Sequence, residues 1–341
     1  MTIKPGSRVA AIGISSMIAF STLTACSGSP DSQANCPGPT TPTITVNAEN
    51  VSGLPTNFRA FPQSVATLTS NNLPADGLAN IRVAGSHQPS EMQLAAVYQR
   101  LASPPANVVV LDLRRESHGF FGGNAVEWYG PKNGANNDIS IPQINALEKQ
   151  QLASLTPKTP VYSIVQLCRT DASIGEAAEV KLPGKLTTGT AEASAVTAGG
   201  AAYQRIYAAD YQPLTNAQVD QFLAIYRPLP KTKWLYVHGA ASQRRTGTVL
   251  AMADMLSNAK TLSLDSIVQR QAKLGSAYLL DLGDTAAFEY PQNVIRAGQL
   301  RAFYLYAQQY PLGAPNPPTF SAWVQTHPSA TAAPPTPSGS N

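Results

Sequence analysis

Two groups of residues in this 341-residue chain have the types and spacing to act on an anionic ligand. The first is Leu235-Tyr-Val-His-Gly-Ala-Ala-Ser-Gln-Arg-Arg-Thr-Gly247. An apolar run leads into His238, a short loop follows, and Arg245 and Thr246 open a second apolar stretch with helical spacing. A strand feeding a tight loop and then a helix makes an anion site. Its backbone N–H groups point inward, and the helix N-terminus adds positive potential. Ala240, Ala241, Ser242, Gln243, Arg244, Arg245 and Thr246 would form this cradle, with Arg245 able to grip a phosphoryl group bidentately. The second group is Arg114, Glu116 and His118. A carboxylate set among arginines usually braces a site as an ion pair, so structural support behind the loop is expected. No group of His, Cys, Asp and Glu has metal-ligand spacing, so no metal is expected.

The loop run resembles the signature of cysteine-dependent, protein-tyrosine-phosphatase-like phosphatases. In that family Cys follows the His, five residues separate it from the Arg, and Thr or Ser comes next; here Gly239 stands at the Cys position. Leu111-Asp-Leu-Arg-Arg-Glu-Ser-His-Gly-Phe-Phe-Gly-Gly-Asn124, followed by Trp128-Tyr129, is similar to a segment of the bacterial members that act on inositol phosphates, phytate included. Leu54-Pro-Thr-Asn-Phe-Arg59 resembles an early segment of that family, and Phe320-Ser-Ala-Trp323 with Thr326-His-Pro328 its closing helix. Several such matches in order carry more weight than one short motif.

The resemblance implies an α/β cysteine-phosphatase fold: a central, largely parallel sheet flanked by helices, with a β-rich insertion. It also implies roles. Ala209-Asp-Tyr-Gln-Pro-Leu-Thr215 resembles the family's acid loop, which places Asp210 at the general acid and Tyr211 where a His is usual. By residue type alone Asp210 reads as a solvated turn residue before a helix. Arg59 either lines a polyanion pocket, as the family implies, or is a surface Arg. His238 supports the loop. Gly239 has no side chain with which to attack phosphorus. Ser242 replaces a Gly used where the backbone turns sharply beside the phosphate, and Arg244 replaces a second Gly at a more variable position. Ser242 is mid-loop with no evident base, which makes it a poor substitute nucleophile.

The elements that must hold these residues are partly visible. Ser90-Glu-Met-Gln93 and Thr215-Asn-Ala-Gln218 are capping boxes that start helices. Residues 108–113 and 234–238 read as buried strands. Residues 248–257, 262–273 and 293–309 read as helices. Residues 131–203 are rich in Gly, Ala and Thr with short apolar runs, and read as an irregular, β-leaning insertion.

Composition sets the outer limits. Apolar residues make up 43% of the chain and charged residues 13%, half the usual share of roughly 25%. The net charge is +4, and no basic run suggests nucleic-acid binding. Lys4 and Arg8 precede a short apolar stretch and Leu23-Thr24-Ala25-Cys26. This reads as a lipoprotein signal peptide over residues 1–25, with Cys26 as the lipidation site. Residues 26–45 read as a disordered tether, 46–328 as the phosphatase-like domain and 329–341 as a disordered tail. The expected location is the bacterial cell envelope on the periplasmic side, with the outer membrane favoured. Cys36 and Cys168 are the cysteines left to form a disulfide, although Cys36 lies in the tether.

The expected protein is thus a degenerate phosphatase-like lipoprotein that binds inositol phosphates or phosphoproteins without turnover, uses no cofactor and meets the membrane through Cys26. Losing the thiolate removes a negative charge that would repel a phosphate dianion. Two alternatives stay open. One is an active phosphatase on inositol phosphates or phosphotyrosine with atypical chemistry. The other is a partner-binding envelope lipoprotein with no catalysis.

Overall fold

Apolar, β-branched runs that are buried along their whole length form the centre of the structure. The computed structural model describes residues 41–331. Its strands are β1 (Thr43–Ala48), β2 (Arg59–Ala60), β3 (Val83–Ser86), β4 (Val108–Asp112), β5 (His118–Phe121), β6 (Asn124–Tyr129), β7 (Val161–Leu167), β8 (Ile174–Val180), β9 (Gly189–Thr190), β10 (Ala202–Arg205) and β11 (Trp234–His238). Its helices are α1 (Phe61–Ser70), α2 (Glu91–Arg100), α3 (Ile141–Ser154), α4 (Glu192–Ala198), α5 (Asn216–Tyr226), α6 (Arg245–Asn258), α7 (Leu264–Lys273), α8 (Tyr290–Gln309) and α9 (Phe320–Thr326).

One sheet has the order β10-β4-β11-β3-β2. Its first four strands are parallel, and β2 closes the edge antiparallel. The two-residue alternation of a strand sorts the side chains to opposite faces. Val109, Leu111, Leu235 and Val237 pack with α5, α6, α7, α8 and α9 through Phe222, Leu250, Ile267, Phe303 and Phe320. Val108, Val110, Trp234 and Tyr236 face the other way, onto Val97 of α2 and Val196 of α4. Helix α6 is buried almost all round, because it lies against the sheet with other helices over it. Gly85 of β3 allows this approach: a Cβ there would come within 2.9 Å of Thr246 Cγ2 and 3.0 Å of Leu250 Cδ1. Register sets His238 beside Asp112 on one side and Ser86 on the other. The C-terminal strand ends are therefore level, where open α/β sheets bind ligands.

The second sheet has the order β8-β7-β1-β6-β5-β9. It is antiparallel except where β1 meets β7. Its own core contains Phe121, Val126, Trp128, Leu152 and Val161.

This architecture corrects two boundaries. The tether ends earlier than residue 45: Thr43, Ile44 and Thr45 already belong to β1 and pair with Tyr129, Trp128 and Glu127, so long-range pairing overrides a loop-like composition. The β-rich part is not confined to residues 131–203. It draws β1, β5 and β6 from outside that segment, and the segment itself includes α3 and α4. Helix α3 starts at a capping box of Ser140 and Gln143. It buries only Ile144, Glu148 and Leu152, a stripe too narrow to show clearly as periodicity. Cys168 is disulfide-bonded; Cys36, Cys26 and the signal and tether segments up to residue 40 lie outside the described residues, as do residues 332–341. Among the described residues, no helix is long and apolar enough to cross a membrane.

Candidate anion-binding site

The loop between β11 and α6 surrounds a cavity of about 150 Å³, lined by Gly239, Ala240, Ala241, Ser242, Gln243, Arg244, Arg245 and Thr246 together with Asp210 and Tyr211. No acceptor among the described residues takes a hydrogen bond from the N–H groups of residues 239–244. Carbonyls of the loop are held instead: Gln88 N–H donates to Ala240 O (3.4 Å) and Ala277 N–H to Gln243 O (3.1 Å). Ser242 is buried and adopts φ 57°, the left-handed region that normally selects Gly. Arg59 compensates. It is buried, and its guanidinium donates to Ser242 Oγ (2.8 Å), Ser242 O (2.9 Å) and Ser276 Oγ (3.1 Å). Burial pushes Arg59 down to about 10. It is neither a surface Arg nor a free lining group; it braces the loop from behind.

Gly239 follows β11 at the base of the loop. A Cβ there would lie 3.3 Å from Thr246 Oγ1 and 3.8 Å from Arg245 Nε, and would meet nothing else within 4 Å beyond its chain neighbours. Thr246 is fully buried, and its Oγ1 has no hydrogen-bond partner among the described residues.

Arg245 is fixed by carboxylates. Its two terminal nitrogens donate to Glu116 Oε2 (2.9 Å) and Oε1 (2.8 Å), and one also meets Asp210 Oδ2 at 3.0 Å. Glu116 takes Arg114 Nε as well, at 2.9 Å, and Arg114 continues to Glu127. Burial alone would raise Glu116, but Arg245 and Arg114 hold it down at about 2. Asn133 lies at the centre, with its amide 3.3 Å from Glu116, 3.2 Å from Glu127 and 3.3 Å from Asp210. Arg114 and Glu116 thus form one frame under Arg245.

His118 belongs to a second network. Its Nδ1 faces Glu116 O (2.9 Å); its Nε2 faces Glu192 Oε2 (2.9 Å) and Asp112 Oδ2 (3.3 Å). Burial and Arg114 would lower His118, but the Asp112 carboxylate raises it to about 9. Glu192 also reaches His238 Nε2 at 3.0 Å. Arg205 meets Asp112 at 3.0 Å and Glu148 at 3.0 Å. Asp112, His118 and Glu192 have potential ligand atoms within 4.8 Å of one another, a convergence that sequence spacing does not show. Both ring nitrogens of His118 already face acceptors, and Arg205 occupies Asp112, so an imidazolium network accounts for the cluster better than a metal centre does.

The rim joins the acid-loop segment to the phosphate-loop segment. Tyr211, also at positive φ (58°), packs tilted against Phe288 with ring centroids 5.3 Å apart, and Arg244 lies over its ring at 5.8 Å. Lys132 lies over Phe288 at 5.5 Å. Arg296 is buried and donates to Asn293 Oδ1 (2.7 Å); burial and Arg244 lower it to about 10. Residue reading alone misses Asp112, Glu127, Asn133, Glu192, Arg205, Ser276 and Arg296. Asp112 and Glu127 fall inside the quoted motif region, but only folding brings the others to it.

A family model for PTP-like phytases, described as "Inositol hexakisphosphate", matches residues 111–257, which run from β4 through the loop to the end of α6. The PTP-like myo-inositol phosphatase from Mitsuokella multacida, solved with myo-inositol-(1,3,4,5)-tetrakisphosphate, superposes with a TM-score of 0.73 at 28% identity over 87% of this chain and 49% of that one. A PTP-like phytase from Bdellovibrio bacteriovorus superposes with a TM-score of 0.62 at 27% identity over 85% of this chain and 98% of the other. In sequence over residues 111–257, and in fold, the chain is similar to the PTP-like phytases. Its mixed α/β architecture is the fold of those PTP-like phytases. Among curated proteins, effector protein hopD2 of Pseudomonas syringae pv. tomato is 30% identical over 240 residues, covering 70% of this chain and 50% of hopD2. AvrBs1.1 of Xanthomonas campestris pv. campestris is 34% identical over 93 residues, covering 26% of this chain and 88% of AvrBs1.1. The chain spans about half the length of hopD2 and of the Mitsuokella protein.

Proposed function

We propose that this protein belongs to the PTP-like phytase family, binds phosphorylated small molecules of the inositol phosphate class and does not hydrolyse them. The observation that carries this reading is a loop with donors but no nucleophile at its base. The N–H groups of residues 239–244 are without acceptors among the described residues, and Arg245 and the α6 N-terminus stand beside them, whereas Gly239 offers no atom to attack phosphorus. Phosphoryl transfer through a covalent intermediate needs a positioned nucleophile. Asp210 at the general-acid position does not replace one. The tetrakisphosphate bound by the Mitsuokella protein supports the ligand class. We further propose export and anchoring through a lipid on Cys26, which would place the domain on the periplasmic side of the bacterial envelope.

One observation favours a second reading, a partner-binding lipoprotein with a closed pocket. Arg245 is already engaged by Glu116 and Asp210. A ligand must displace Asp210 to reach the terminal nitrogens of that guanidinium.

Phosphate release from phytate and calorimetric titration with phytate test the two together, on the unmodified protein and on Gly239→Cys. The expected result is binding without release by the unmodified protein and measurable release by Gly239→Cys. Release by the unmodified protein that Arg245→Ala abolishes would overturn the non-catalytic reading. Absence of binding in both proteins would favour the partner-binding one.

A further inference from the structure

The base of the loop has the makings of a second, smaller site. At Gly239 the chain offers only a hydrogen where any other residue would place a Cβ. The neighbouring atoms of that position are Thr246 Oγ1 at 3.3 Å and Arg245 Nε at 3.8 Å. Thr246 is 0% exposed, and its hydroxyl has no partner among the described residues. A buried hydroxyl left without a partner loses its hydration uncompensated, so an acceptor at this point would be favoured. Arg245 Nε donates to no acceptor among the described residues either, although the terminal nitrogens of the same guanidinium are held by Glu116, Asp210, Ala208 O and Leu113 O. The first turn of the 14-residue helix α6 adds its positive end.

We propose that the space between Gly239, Thr246 Oγ1 and Arg245 Nε is a socket for a small monovalent anion of halide or hydrosulfide size. Such an anion accepts from the hydroxyl and from Nε and needs no bidentate geometry, so the carboxylates on the terminal nitrogens need not move. Shape separates it from the proposed phosphoryl site. A tetrahedral dianion needs the ring of loop N–H groups, whereas a single-atom anion needs only a place beyond the Cα hydrogen of Gly239, further from Cα than a Cβ would lie, within reach of Thr246 Oγ1 and Arg245 Nε. The socket uses the same loop as the proposed phosphoryl site but does not depend on phosphoryl binding. Bound charge in the socket would oppose a phosphoryl dianion above it, so halide would weaken phosphate binding.

The test is crystallography of the full domain soaked in sodium bromide, read by anomalous scattering, alongside bromide-dependent thermal shifts. The expected result is a bromide peak within hydrogen-bond distance of Thr246 Oγ1 and Arg245 Nε. Thr246→Val should weaken the bromide response at least tenfold, and Thr246→Ser should retain it. Gly239→Ala, which fills part of the space, should weaken it as well. A peak only at the loop mouth near Arg244, no peak at all, or an undiminished response in Thr246→Val would each overturn the socket. Calorimetry with inorganic phosphate separates the two claims. Phosphate binding without bromide at the base sinks the socket alone, and bromide at the base without phosphate binding sinks the phosphoryl reading alone.

Discussion

Ser242 and Glu116 show how single side chains set the state of this site. Ser242 accepts a left-handed backbone where Gly would be unstrained, and its hydroxyl gives Arg59 an acceptor. Left-handed backbone costs an L-residue about 1–2 kcal/mol, whereas a hydrogen bond to a buried charge contributes about 1.5–3 kcal/mol. Ser242→Gly should therefore destabilise the protein slightly, by about 1 kcal/mol in urea unfolding, rather than stabilise it. Glu116 carries more. It stands between two buried guanidiniums, Arg114 and Arg245, and breaking such a group leaves uncompensated charge. Glu116→Gln should cost about 3–5 kcal/mol, read from the same unfolding curves. Arg245 would still be held by Asp210, Ala208 O and Leu113 O.

At the scale of elements, the site depends on where three connections stop. β11 ends at His238, level with Asp112 of β4. α6 begins at Arg245 without a side-chain cap, which leaves its first N–H groups for an anion. The segment from Ala209 to Leu214 ends at Thr215, whose hydroxyl caps α5 while Gln218 returns the bond to the Thr215 N–H. That capping box fixes where the Asp210 segment ends. Thr215→Ala should lower stability by about 1 kcal/mol. It should also raise hydrogen-exchange rates across residues 209–214, since Asp210 meets Arg245 from this segment. Unchanged exchange there would show that the Asp210 contact, and not the cap, holds the segment.

Across the whole molecule, buried ions join the two sheets around the site. Glu127 of the antiparallel sheet pairs with Arg114, which follows β4 of the parallel sheet. His118 of β5 meets Asp112 of β4, and Glu192 of α4 meets both His118 and His238 of β11. Separate unfolding of either sheet would strip these charges of their partners, so near- and far-ultraviolet circular dichroism should report one coincident transition in urea. The same network sets an alkaline dependence. His118 is raised in the folded protein to about 9, above the ordinary value of about 6.5. Its contribution is complete below the ordinary value and is lost as pH rises through about 9. Melting temperature should fall over that interval, and His118→Gln should flatten the fall.

Sequence by itself determined much of this protein. The strand at residues 234–238 can be read because its apolar run agrees with burial, and the starts of α2 and α5 because capping boxes are local signals; α6 starts at Arg245, three residues before the apolar periodicity shows it, because it has no side-chain cap. The loop, its missing side chain at Gly239 and the unusual Ser242 are also plain in the order of residues. Only the tertiary structure decided the rest. β1, β5 and β6 join a sheet with β7 and β8 through pairings up to 117 residues apart (Thr45 with Tyr162), which no window of local pattern contains. Arg59 reaches Ser242 across 183 positions, and Glu192 reaches His118 across 74. Whether such charges brace the site or face a ligand depends on which groups share their low-dielectric surroundings. Residue type and spacing do not carry that information, because ion pairing at a distance is a property of the packed fold.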